Sequence, residues 1–221
     1  MSDTIRTWGD VDTDGALEET FAAVAGDDRA SFLRKAAFGG AAALGAGSLA
    51  GLLPSIANAA TPKSDVAILN FALTLEYLEA AFYAGARANA GIFKGDTRNF
   101  VDVVAKHEAV HVAFLRKALG SAAVKKPTFD FKGTNNRDQK TFEATAQLLE
   151  DTGVMAYAGQ VGNIKTKSIL AAAASIHSVE ARHAAWMRHI RQIAPAPVAF
   201  DPAKTKAQIL AAVGKTGFIT G

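Results

Sequence analysis

From residue 64 onward, apolar positions recur every three or four residues, the spacing of helices with one buried face. In 64–90, Leu69, Ala72, Leu73, Glu76, Ala80 and Tyr83 share such a face. Ser64 or Asp65 is suited to cap its start. The pattern predicts a second helix over about 97–119, with Thr97 as a candidate cap and Gly120 as its stop. A third is predicted over about 138–162 and a fourth over about 165–193, ended by Ala-Pro-Ala-Pro at 194–197. The tail offers a short fifth helix, with Asp201 as N-cap and Pro202 in its first turn. Helices one and two are closely joined, as are three and four. Between two and three runs a long polar connection, SAAVKKPTFDFKGTNNRDQ. The expectation is an all-α fold: two helical hairpins joined by one long crossover into a four-helix bundle.

The inner faces are interrupted by charge, twice in the same way. HEAVHVAFLRKAL (107–119) carries Glu108 and His111 one turn apart, and VEARHAAWMRHI (179–190) carries Glu180 and His183. Phe114, Leu115 and Arg116 of the first recur as Trp186, Met187 and Arg188 of the second. The other two helices match as well. LEYLEAAFYAG (75–85) and LEDTGVMAYAG (149–159) both read L-E-x6-Y-A-G, pairing Glu76 with Glu150 and Tyr83 with Tyr157. The glutamate offsets are 74 and 72 residues, so the halves are nearly in register and imply duplication of a helical hairpin.

Glu and His at i and i+3 share a helical face. One such pair on each of two helices, with one Glu on each of the other two, brings four carboxylates and two imidazoles into a bundle core. Unpaired, those carboxylates would be very costly to bury. Two divalent cations would neutralise them. The oxygen and imidazole donors suit iron or manganese, and zinc is compatible. The chain has no cysteine, which excludes disulfides, zinc-thiolate sites, rubredoxin-type iron and thiol catalysis.

The ordered set Glu76, Glu108-x-x-His111, Glu150, Glu180-x-x-His183 resembles the ferritin-like di-metal carboxylate superfamily, which includes ferritins, bacterioferritins, rubrerythrins and manganese catalases. The resemblance covers about residues 64–193, and LNFALTLEYLEAAFY and LLEDTGVMAYAG look most like an exported branch related to plant desiccation-related proteins. It implies that Glu76 and His111 cap one metal, that Glu150 and His183 cap the other, and that Glu108 and Glu180 bridge. These six are then both metal ligands and catalytic residues. The implied chemistry is ferroxidase, peroxidase or catalase activity on O2 or hydrogen peroxide in oxidative or metal stress, with an external electron donor for a peroxidase. The alternatives are metal sequestration, or a structural stress protein held together by its metals. The tail does not look like a ferritin fifth helix, so a homodimer is expected rather than a cage.

Neighbouring polar residues have competing readings. Glu79, one turn after Glu76, reads as a surface or outer-layer carboxylate. Glu143 shares a face with Glu150, but the Tyr-Ala-Gly repeat selects Glu150. Tyr83 and Tyr157 read equally as donors to ligand carboxylates or as ordinary core tyrosines. His177 reads as a partly exposed residue or a support for a ligand. His107 and His189 read as solvated, Trp186 and Phe114 as core packing, and Arg116 and Arg188 as outer-face charges.

Charge alters the picture only at the N-terminus. Four basic and eight acidic residues leave 1–59 at −4, and the remainder at +7 of the chain's net +3. The basic residues of the body are scattered, which argues for a solvated surface and against nucleic-acid binding. Residues 29–60 read as a charged lead, a Gly/Ala run and Ala57-Asn58-Ala59, a small-x-small cleavage pattern before Ala60. The glycines make that run a poor permanent membrane span. The lead Arg29-Ala30-Ser31-Phe32-Leu33-Arg34 resembles a twin-arginine (Tat) signal with Ala30 at the second arginine; the Sec route, and an uncleaved N-terminal arm or membrane anchor, stay open beside it. The expected organisation is an export signal over 1–59, a bundle over 60–193 and a tail over 194–221, with a periplasmic or otherwise exported mature protein.

Overall fold

The computed structural model describes residues 61–221. The expected export signal and its cleavage point before Ala60 lie outside the described residues. The four long helices are α1 (Lys63–Ala88), α2 (Gly95–Leu119), α3 (Gln139–Val161) and α4 (Lys167–Ile190), followed by a shorter α5 (Lys206–Thr216). Single 3-10 turns at Ala90–Ile92 and Gly120–Ala122 follow α1 and α2. Helix α1 pairs with α2, and α3 with α4. The two hairpins then meet through α1 against α3 and α2 against α4, and α5 lies against α3. This is the expected all-α bundle with its crossover between the second and third helices.

The helix starts differ in detail from the sequence reading. Neither Ser64 nor Asp65 caps α1, whose first turn follows Pro62 without a side-chain cap. The Asp65 carboxylate instead accepts backbone N–H bonds from Lys165 (3.1 Å) and Thr166 (2.9 Å), so it pins the turn that opens α4. Thr97 lies inside α2, which begins at Gly95. Its hydroxyl donates to Glu143 at 2.5 Å. Asp138 caps α3 by accepting from Thr141 N. In the tail the helix begins four residues later than Asp201 and Pro202 suggest, because Thr205 and Gln208 form a reciprocal capping box there.

Along the bundle, two apolar clusters flank a polar middle. One contains Leu78, Phe82, Phe100, Phe142 and Met187. The other contains Leu69, Leu73, Leu115, Ile169 and Ile176. On α1, α2 and α4 the site glutamates and histidines fall between positions belonging to the two clusters. Helix α1 is long and apolar enough to cross a membrane, but most of its apolar stretch is buried in this core.

The glycine of each Tyr-Ala-Gly motif marks a crossing point. Asn135 of the crossover lies over Gly85 and donates to the Phe82 carbonyl at 3.2 Å; a Cβ on Gly85 would fall 2.3 Å from its amide nitrogen. Lys204 crosses Gly159 in the same way, donating from its backbone N to the Met155 carbonyl at 3.1 Å, and a Cβ on Gly159 would fall 1.8 Å from the Lys204 carbonyl oxygen. The crossover is also tied to the tail by antiparallel pairing: Asp130 N to Phe218 O (2.9 Å) and Thr220 N to Thr128 O (3.0 Å). The repeat therefore encodes a site glutamate, a tyrosine and a glycine that lets another segment lie on the helix.

Candidate metal centre

Each long helix delivers its site residues to the middle of the bundle because they occupy the same stripe as the core residues. Glu76, Glu108, Glu150 and Glu180 are fully buried, and His183 and His111 are 2 % and 8 % exposed. The six form two groups. Glu76, Glu108, His111 and Glu180 make one, and Glu108, Glu150, Glu180 and His183 make the other. His111 Nδ1 faces Glu76 Oε2 (3.2 Å), Glu108 Oε2 (3.3 Å) and Glu180 Oε1 (3.0 Å). His183 Nδ1 faces Glu150 Oε2 (3.2 Å), Glu108 Oε1 (3.3 Å) and Glu180 Oε2 (3.6 Å). Glu108 and Glu180 thus present one oxygen to each group, while Glu76 and Glu150 each serve one.

Several of these atoms are close to each other without being hydrogen-bonded. Glu108 Oε1, Glu150 Oε2, both carboxylate oxygens of Glu180 and His183 Nδ1 are buried and lack a partner in hydrogen-bond geometry. Buried polar atoms that converge without pairing off fit a shared cation better than a closed hydrogen-bond network. The donors are all carboxylate oxygen and imidazole nitrogen, the set that accommodates first-row divalent ions.

Electrostatics gives the same answer. Burial opposes charge on His111, but Glu76 and hydrogen bonds to the surrounding carboxylates outweigh it and raise its pKa strongly. His183 is pushed up to about 12 against its own burial, chiefly by Glu150. Glu180 is buried too, yet the two imidazoles hold it down to about 2. Burial, then repulsion from Glu180 and Glu76, raises Glu108 well above the ordinary carboxylate range. Burial also lifts Glu150 to about 7, against the pull of His183. Without a cation, protons on the imidazoles offset part of this negative charge.

The tyrosines resolve in favour of the carboxylates, and across the hairpins. Tyr157 of α3 donates to Glu76 Oε1 of α1 at 2.5 Å, and Tyr83 of α1 donates to Glu150 Oε1 of α3. Burial, then the neighbouring glutamates, raises both phenol pKa values well above 10, so the hydroxyls stay protonated as donors. Glu143 stays outside the centre, held by Thr97 and by Gln139 at 2.8 Å. Arg188 is half-buried and pairs with Asp151 at 2.8 Å, clamping α4 to α3, whereas Arg116 is exposed. Trp186 packs edge-on against Phe100, and Phe114 packs against the second apolar cluster. His189 is exposed. His177 is half-buried, with its Nε2 unpartnered.

Two residues lie closer to the centre than a solvated position would put them. Of the two readings of Glu79, the surface one is excluded and the outer-layer one stands: it is 3 % exposed, and its carboxylate and Glu180 Oε2 both lie against Gly153. Its i+3 spacing from Glu76 was the available signal. His107 is exposed as expected but not merely solvated. Its ring stacks on His183 at 5.2 Å, with its Nδ1 2.9 Å from His183 Nε2. The outward nitrogen of His183 is therefore occupied while Nδ1 faces the carboxylates, a common support for a ligating histidine. Its i−4 spacing from His111 placed it near the same face.

Comparison with curated proteins finds no match. Comparison with protein families matches residues 64–192 to the ferritin-like domain, a span that runs from the first turn of α1 to just beyond α4 and covers more than half of the sequence. The two hairpins, their crossover and the buried carboxylate and histidine groups all fall within that span, and the chain belongs to the ferritin-like domain family.

Proposed function

We propose that Glu76, Glu108, His111, Glu150, Glu180 and His183 hold two divalent ions, iron or manganese, with zinc admitted by the same donors, and that the protein acts on O2 or hydrogen peroxide. The observation that carries this reading is the division of Glu108 and Glu180, one oxygen of each toward either histidine. That is the arrangement of a carboxylate shared by two adjacent cations. A bound pair of this kind supplies redox equivalents and open positions for a small oxidant.

The protein's own part is to position and to exclude. Tyr83 and Tyr157 hold one oxygen each of Glu150 and Glu76, leaving the other free to face the histidine. His107 fixes the ring of His183. The flanking apolar clusters keep out bulk water, and the burial of all six residues favours a reactant of two heavy atoms over a large organic one. The reading extends to export with removal of the leader before Ala60, to kinship with the desiccation-related branch, and to a homodimer supplied by an external electron donor where the reaction needs one.

The test is elemental analysis of protein purified without added metal, beside the Glu108→Ala/Glu180→Ala variant. Two Fe or Mn per chain, lost in the variant, supports the dinuclear site and selects the assay: Fe(II) oxidation and peroxide reduction for iron, peroxide disproportionation for manganese. A wild-type protein that stays metal-free when Fe(II) or Mn(II) is supplied refutes it. Metal-dependent melting without oxidant consumption replaces the enzymatic reading by a structural one. The mass of the mature chain from cell envelopes checks cleavage before Ala60.

A further inference from the structure

We infer that Glu79 is a seventh ligand, donated to the Glu150/His183 side of the dinuclear centre from its place beside Gly153. The inference rests on the dinuclear reading above. Glu79 lies one turn beyond Glu76 on α1 and is buried. Its carboxylate lies across α3 at Gly153. A Cβ on that glycine would stand 3.4 Å from Glu79 Oε1, 3.7 Å from Glu79 Oε2 and 3.6 Å from Glu180 Oε2. Glu180 Oε2 is the oxygen turned toward His183. The carboxylates that bear most strongly on Glu79 rank Glu180, Glu150, Glu108 and then Glu76, which again places it nearer the Glu150 half.

The duplication explains how this arose. The offset of 74 that pairs Glu76 with Glu150 also pairs Glu79 with Gly153. Glutamates at both positions would press two further carboxylates together at the same spot. One copy carries the carboxylate and the other carries only hydrogen, which leaves room for it. The centre is consequently asymmetric. A cation beside His111 would be held by Glu76, Glu108 and Glu180, whereas one beside His183 would be held by Glu108, Glu150 and Glu180, with Glu79 added from beside Gly153. A cation on the His183 side would offset the cost of burying this additional carboxylate.

The experiment is titration of the metal-free full chain with Co2+, followed by calorimetry and by the visible absorption of bound cobalt, whose intensity falls as ligands are added. Glu79→Gln keeps the shape and removes the charge; Glu143→Gln, a carboxylate outside the centre, is the control. The expected result is two Co2+ per chain for wild type and Glu143→Gln. In Glu79→Gln, one ion binds as in wild type and the other about tenfold or more weaker, with a changed band. Combination with Glu76→Ala, which leaves the His183 side, should expose its full effect. Equal affinities and identical spectra in wild type and Glu79→Gln overturn the inference while leaving the dinuclear reading intact, and so does equal weakening of both ions. A wild-type chain that binds no Co2+ overturns both.

Discussion

Removal of a bridging carboxylate should cost twice what removal of a terminal one costs, and the increment can be worked out in advance. A ligand held at 100 times its Kd stabilises the folded state by about 2.7 kcal/mol per site, hence by about 5.4 kcal/mol for two. A domain of this size shifts its melting temperature by roughly 2–4 °C per kcal/mol. Saturating Mn2+ should therefore raise the Tm of the wild-type protein by about 11–22 °C. Glu76 faces only His111, so Glu76→Ala should keep the ion beside His183 and about half of that increment. Glu108 faces both histidines, so Glu108→Ala should lose nearly all of it. Each variant is compared with its own metal-free form, so the cost of the cavity left by the deleted side chain cancels. The assay is differential scanning calorimetry at fixed free Mn2+. Equal increments in Glu76→Ala and Glu108→Ala would refute the assignment of shared and unshared carboxylates, even if metal still bound.

Further outcomes follow from the same geometry. Tyr83→Phe and Tyr157→Phe each remove a buried hydrogen bond to a carboxylate and should each cost about 1.5–3 kcal/mol in urea unfolding of the metal-free protein. Asp65→Ala leaves the backbone N–H groups of Lys165 and Thr166 without their acceptor and should cost about 2–4 kcal/mol with the metal sites unchanged; loss of metal binding in this variant would contradict a purely structural role. In the metal-free protein the raised pKa of His183 stabilises the fold below about 6.5 and loses that effect only as the pH climbs toward about 12. The depressed pKa of Glu180 stabilises above the ordinary carboxylate range and loses its effect as the pH falls toward about 2. Metal must displace the protons held on both imidazoles and, near neutrality, on Glu150 at about 7, so apparent Mn2+ affinity should rise steeply from pH 6 to pH 8, with proton release measurable by calorimetry in buffers of different ionisation enthalpy. A flat profile would mean that the protons are not where the geometry puts them.

Periodicity, duplication and donor chemistry were local properties of the sequence. The spacing of Leu69, Leu73 and Tyr83 defines a helical stripe in any context, and a Glu-x-x-His pair faces one way on any helix. Two near-registered copies then identified the six residues, and the Tyr-Ala-Gly repeat chose Glu150 over Glu143. Tertiary structure decided whatever depends on which helix lies opposite. Asp65 reads as a cap of its own helix, but its carboxylate meets backbone N–H groups a hundred residues away. Tyr83 and Tyr157 were ambiguous because their partners belong to the other hairpin. The exposed ring of His107 meets His183 only once α2 and α4 are packed. Glu79 was the hardest to read, since its i+3 spacing from Glu76 fits a surface carboxylate or an outer-layer one until α3 packs Gly153 against it. A single chain carries its helical faces in its own periodicity; the pairing of those faces is a property of the packed bundle, and the asymmetry of the centre exists only there.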